Sequence, residues 1–259
     1  MSVMTTSVMT TTYPAPTVAQ DTAAPSARHP WRFWSTFGWV VLASAALVGT
    51  EQAVHYVDSH VSLQLDRSLL RPLTTILSML AATLVLAFAA HWRGPSARAY
   101  LGLVLPRWHQ FLITLSAFAA LYVALLGAEH FFPPKVETIP ERIVQYRALL
   151  DHPAQLVLYW LVAAITAPIF EEIIFRGFIQ QGWSESRIGV VAALLLSTLL
   201  FVQAHTQYDL RGLLDVFAIG LALGLTRWWS GSTLLAIMMH AGWNFTNSFI
   251  IALMAWTNG

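Results

Sequence analysis

The sequence predicts an all-α protein, a polytopic bundle of about seven transmembrane helices, and three observations carry that expectation. Of 259 residues, 56% are apolar and only 10% charged, where a water-soluble domain carries about 25% charged residues. Mean hydropathy is +0.59. The apolar residues form continuous blocks about as long as the roughly 20 residues a helix needs to cross a bilayer, and they do not alternate as barrel strands would.

Taken in order, residues 1–30 are dominated by Thr, Ala, Ser, Pro and Val, with Asp21 and Arg28 as their charged residues. That composition cannot bury enough apolar surface to order itself, so a disordered tail is expected. Met1–Thr12 lacks the basic start and apolar core of a secretory signal. From Phe33 the expected spans lie at 33–50, 73–92, 110–128, 155–181, 188–205, 212–228 and 232–256. Glu51 and Gln52 end the first, and Trp31 and Trp34 flank it as an interfacial belt. Between Glu129 and Pro153 the loop contains Pro133, Pro134 and Pro140, followed by "ERIVQYRALL", which fits a short interfacial amphipathic helix. The chain thus divides into the tail, helices and loops over 31–154, and a second helical part over 155–256. With the amino terminus inside, seven Lys and Arg fall in inner segments and six in outer ones, which sets no orientation.

The formal net charge is +1, which argues against a nucleic-acid partner, since phosphate binding needs a concentrated excess of Lys and Arg. Zero cysteines exclude disulfides, thiolate metal sites and thiol nucleophiles. The surrounding medium is the lipid bilayer, in which a charged side chain costs roughly 2.5–3.5 kcal/mol on insertion scales. The polar side chains retained inside the spans are therefore the informative ones. They are few: Glu171, Glu172, Asp215, Arg176, His205, His240 and Asn244.

In "APIFEEIIFRGF", Glu172 and Arg176 are four residues apart on one helix face, in the favoured order, so the arginine neutralises that glutamate as a structural pair. Glu171 is the acid left over. Pro168 lacks an N–H and kinks helices, which opens space and polar backbone beside Glu171. Phe201 and His205 share a face at the end of the fifth span. In "HAGWNF", Asn244 follows His240 by one turn, while Met239 and Trp243 read as packing. "GLALG" at Gly220–Gly224 is a small-xxx-small pattern for close helix approach, and Asp215 reads as interfacial. One unpaired carboxylate, two imidazoles and a carboxamide over three spans suit hydrolysis, with a base for water and donors for an oxyanion. Glu171, His205 and His240 equally make a zinc set of two His and one Glu.

Three of these stretches, "EEIIFR" (Glu171 to Arg176), "FVQAH" (Phe201 to His205) and "HAGWN" (His240 to Asn244), resemble the EExxxR, FxxxH and HxxxN motifs of the CAAX-protease and bacteriocin-processing family of intramembrane proteases, of the Ras-converting CAAX endopeptidase type (Abi family). The motifs stand in the right order on successive spans, Gly177 after the arginine also fits, and the likeness covers 155–256. It implies a protease core in a helical bundle with an intramembrane cavity, in which Glu171, His205, His240 and Asn244 form the site and Glu172, Arg176 and Phe201 support it. It further implies a peptide or membrane-anchored protein as substrate and a prokaryotic cell membrane as location. The family has been described both as metalloproteases and as glutamate-dependent proteases without metal. The reading preferred here needs no cofactor, because Asn244 is a natural oxyanion donor and would be a surplus neutral group beside a dication; zinc on Glu171, His205 and His240 is the alternative.

A scaffold or chaperone that kept the fold would be expected to have lost motif residues, and none is substituted. A transporter would carry repeated halves with broken helices, which the sequence lacks. Counting about 1.5 Å per residue from the loop between the fourth and fifth spans puts Glu171 and His205 at depths differing by about 10 Å, so tilt, the Pro168 kink or an earlier end to the fourth span must bring them level.

Overall fold

The computed structural model describes residues 32–61, 66–93, 96–133 and 138–257; the expected tail over 1–30 lies outside them. Among the described residues the secondary structure is helical: α1 (Phe33–Val61), α2 (Arg67–Arg93), the single turn α3 (Ala97–Tyr100), α4 (Trp108–Phe131), α5 (Thr138–Leu150), α6 (Pro153–Ser184), α7 (Gly189–Gln203), α8 (Leu210–Ser230) and α9 (Thr233–Thr257). Within α6, Val162–Thr166 and Ile173–Gln180 wind in the wider π form. Each of the seven expected apolar blocks falls on one of these helices. Four, Phe33–Val61, Ser68–Arg93, Trp108–Phe131 and Pro153–Ser184, are long and apolar enough to cross a membrane, and Gly189–Gln203 is a shorter apolar helix. The protein is an integral membrane protein.

Large apolar side chains face outward along the helices, among them Leu84, Phe88, Val123 and Val191, as a lipid solvent permits. Polar groups are turned in. The centre of the bundle is the second half of α6, where every residue from Glu172 to Gln180 is buried. Phe175 and Phe178 pack there with Tyr100, Leu101 and Phe201. Two side chains one turn apart on α6 tie it to α8: Arg176 Nη2 donates to the carbonyl of Gly220 (2.9 Å) and Gln180 Nε2 to that of Gly224 (3.0 Å). The GLALG pattern therefore lets α8 approach until side chains of α6 reach its backbone.

The turns are fixed by their own chemistry. Asp209 caps α8 by accepting from the Gly212 N–H (2.8 Å). Gly231, at φ 70°, ends that helix in the left-handed conformation. Thr233 then donates its hydroxyl to Leu101 O (2.6 Å) and its N–H to Gly102 O (2.8 Å), which ties the start of α9 to the segment after α3. At the opposite end of α8, Arg211 pairs with Asp215 and donates to Phe132 O (3.2 Å) and Leu125 O (3.3 Å), a cation placed where the carbonyls of α4 end. The "ERIVQYRALL" segment does form a helix, α5, and it is held to α9 by a fully buried Tyr146 packed with Ile251, Ala252 and Ala255. α1 continues past Glu51 and Gln52 to Val61, because these residues are adequate helix formers and a helix need not stop where a hydrocarbon layer would.

A Cβ at Gly220 would stand 2.9 Å from the Phe201 ring and 3.4 Å from Arg176 Nη2, whereas one at Gly127 on α4 meets nothing within 4 Å. Gly220→Val is therefore expected to cost about 1–3 kcal/mol through overpacking, and Gly127→Ala to be neutral or stabilising by up to about 1 kcal/mol. Thermal unfolding in detergent checks both.

Candidate active site

Three helices bring their polar side chains to one place. Glu172 is buried completely and Arg176 is 1% exposed. Arg176 Nη1 donates to Glu172 Oε1 at 2.9 Å, so the expected pair forms. The same oxygen also lies 2.9 Å from Nδ1 of His240 on α9. A carboxylate only accepts, so this Nδ1 carries a proton and the Nε2 of the neutral ring presents a lone pair. His240 Nε2 stands 3.9 Å from Glu171 Oε2, too far for a hydrogen bond and close enough for one water to touch both. Neither Glu171 Oε2 nor Glu172 Oε2, both buried, has a hydrogen-bond partner among the described residues.

His205 lies just past the end of α7, and its Nδ1 is 2.7 Å from Phe201 O. A carbonyl also only accepts, so Nδ1 is the protonated nitrogen and Nε2 is left as an acceptor. That bond draws the imidazole back one turn toward Phe201, and His205 lies within electrostatic reach of Glu171. One feature narrows the depth difference expected from sequence: the His205 imidazole folds back toward Phe201 O instead of continuing up its helix.

Phe201 is the hub of this packing. Its ring lies 4.4 Å from the Arg176 guanidinium carbon, and its centroid is 4.6 Å from that of His205 and 5.8 Å from that of His240. The arginine's second charge partner is thus an aromatic face, an interaction strengthened where water is excluded. Asn244 donates from Nδ2 to Ala163 O on α6 at 2.9 Å. Its other amide hydrogen and its oxygen make no hydrogen bond among the described residues, and Asn244 lines a cavity of about 370 Å³ together with Phe201, His205 and His240.

Glu171 is not among the residues lining this cavity, but it stands 3.9 Å from His240, which lines it. Farther out, Tyr122 of α4 and Asn247 of α9 line it, joined by a 3.3 Å hydrogen bond, with Glu129 and Arg142 beyond them. Asn247 was legible in principle, standing one turn after Asn244; Tyr122, Glu129 and Arg142 lie outside the three motifs and carry no spacing signal. Among the described residues no group of three or more His, Asp or Glu side chains is clustered so as to hold a metal ion. As placed, Glu171, His205 and His240 therefore do not make the alternative zinc set, and no step below is routed through a metal.

An all-helical membrane bundle with a glutamate and two histidines beside an internal cavity defines a polytopic membrane protein with a built polar centre. Residues 153–246 match the family described as type II CAAX prenyl endopeptidase Rce1-like, in agreement with the resemblance that the three motifs carry. An uncharacterized 24.3 kDa protein of Escherichia coli is 31% identical over 130 residues, 49% of this chain and 57% of that protein. The match thus spans little more than half of the relative's length. No solved structure matches the chain.

Removing the arginine strands a buried carboxylate, a change that costs about 3–5 kcal/mol when one partner of a buried pair is lost. Arg176→Ala is expected to lower membrane yield and thermal stability by that amount. A variant as stable as the wild type but inactive would instead place Arg176 among the reacting groups.

Proposed function

We propose that the protein is an intramembrane endopeptidase that hydrolyses a peptide bond with a glutamate-activated water. The observation that supports the reading is His240, which stands 3.9 Å from Glu171 and lines one cavity inside the bundle together with His205 and Asn244. A substrate carbonyl entering the cavity passes Asn244 and the two imidazoles. Water placed between Glu171 Oε2 and the carbonyl carbon gives its proton to the carboxylate, assisted by the Nε2 acceptor of His205, while its oxygen attacks.

The resulting oxyanion needs donors held in place before reaction. His240 supplies one from Nε2 when its ring carries a second proton. The free amide hydrogen of Asn244 supplies the other. Collapse breaks the C–N bond, and the proton held by Glu171 passes to the leaving nitrogen. Glu172 and Arg176 do no chemistry in this scheme; they hold His240. The substrate is a peptide or a membrane-anchored protein, of which prenylated CAAX peptides, bacteriocin leaders and membrane-anchored sorting tails are the classes to try.

Glu171→Gln keeps shape and loses the proton acceptor, so it is expected to lower kcat by a factor of about 100 or more with unchanged folding. Comparable turnover by purified variant and wild type would remove Glu171 from the mechanism. Prolonged chelation, checked by elemental analysis, is expected to leave most activity in place. Activity lost on chelation and regained with one equivalent of zinc would make Glu171 a ligand.

A further inference from the structure

A proline inside a helix leaves a carbonyl without its donor, and in hydrocarbon such a carbonyl must be satisfied from elsewhere. In α6 the consequence is specific. The Ala167 N–H donates to Val162 O in the π register, so it is not given to Ala163. The next residue, which would serve Ala163 O in that register, is Pro168, which has no N–H. Ala163 O thus loses the donors of both the α and the π pattern. The group that reaches it is the Asn244 side chain of α9, at 2.9 Å.

We infer that Asn244 is a positioning residue as well as a cavity-lining one, a latch that replaces the N–H missing at Pro168 and so holds the wide turn of α6 in register with α9. The catalytic consequence rests on the peptidase reading above; the latch itself does not. The latch joins two pairs of neighbours. Glu171 and Glu172 follow Pro168 by three and four residues on α6, and His240 precedes Asn244 by four on α9. Fixing Ala163 to Asn244 therefore sets the level at which His240 meets both carboxylates, 2.9 Å from Glu172 and 3.9 Å from Glu171. Without the wide turn, the residues after it would rotate by about 100° for each residue removed, carrying Glu171 away from the imidazole. Asn suits the task because it has two amide hydrogens: one is spent on Ala163 and the other remains for the cavity.

The test is a double-mutant cycle between positions that do not contact through charge. Asn244→Leu keeps volume and removes the donor; Pro168→Ala restores a backbone N–H that can serve the turn. Thermal unfolding of the purified full chain in detergent should show Asn244→Leu lowering Tm by several degrees in the wild-type background and by less than half as much in the Pro168→Ala background. Equal losses in the two backgrounds would overturn the latch. Pro168→Ala alone should be at least as stable as the wild type yet lower kcat tenfold or more with little change in KM, a split that packing alone would not produce; wild-type kcat in that variant would overturn the positioning role. Should Pro168→Ala not accumulate, Pro168→Val restores the same N–H and the same comparison decides. Coupling in Tm together with no cleavage by any form, wild type included, would keep the latch and sink the peptidase reading.

Discussion

One carboxylate oxygen organises the interior of this bundle. Glu172 Oε1 receives hydrogen bonds from Arg176 Nη1 and from His240 Nδ1 at 2.9 Å each. A buried carboxylate is costly unless its charge is matched and its lone pairs are used; here groups on two helices match the charge and both bond Oε1, while Oε2 has no hydrogen-bond partner among the described residues. Arg176 cannot discharge its remaining donors locally, so it reaches the Gly220 carbonyl on α8 and the face of Phe201 on α7. Meeting the needs of one acid therefore connects α6, α7, α8 and α9.

The backbone of α6 gives way to make those connections. Its π turns fall on either side of Pro168, Glu171 and Glu172, and wide turns of this kind recur where function requires side chains to be displaced from the regular helical pattern. An ordinary helix through this segment would satisfy every carbonyl but would present the two carboxylates at a different angle. The π form leaves Ala163 O to be served from α9, exchanging an internal backbone bond for one between helices. Interhelical polar contacts of this sort contribute about 0.6 kcal/mol on average in membrane proteins, so the arrangement gains geometry more than stability.

Much of this was legible in the sequence. The apolar blocks fall on seven of the described helices, although only four of these are long and apolar enough to cross a membrane; the Glu172 and Arg176 spacing foretold their ion pair, and the small residues at 220 and 224 foretold the close approach of α8. The site was less accessible for physical reasons. A period of 3.6 residues places Glu171 and Glu172 on adjoining faces but does not say which one an imidazole from another helix will choose, and His240 bonds the acid already neutralised by Arg176. Counting rise per residue misplaced His205, because the count assumed a straight continuation of α7, whereas the imidazole turns back to Phe201 O. The second use of Asn244 was hidden because it depends on which carbonyl the proline frees, which requires knowing the local helical register.

The two adjacent acids illustrate how a membrane interior separates structure from chemistry. Glu172 is completely buried, with two strong donors on Oε1. Glu171 sits next to it with no hydrogen-bond partner on its buried Oε2 among the described residues and with His240 Nε2 3.9 Å away. The donors that stabilise the first acid also orient His240 toward the second, since fixing Nδ1 on Glu172 leaves Nε2 facing Glu171. An ion pair elsewhere in the bundle, such as Arg211 with Asp215, has no imidazole between it and a second acid and serves only to join α8 to the end of α4. What marks the Glu171 region as the candidate site is therefore the imidazole whose two nitrogens face two different carboxylates, one holding two donors on its Oε1 and one with no hydrogen bond to its Oε2 among the described residues.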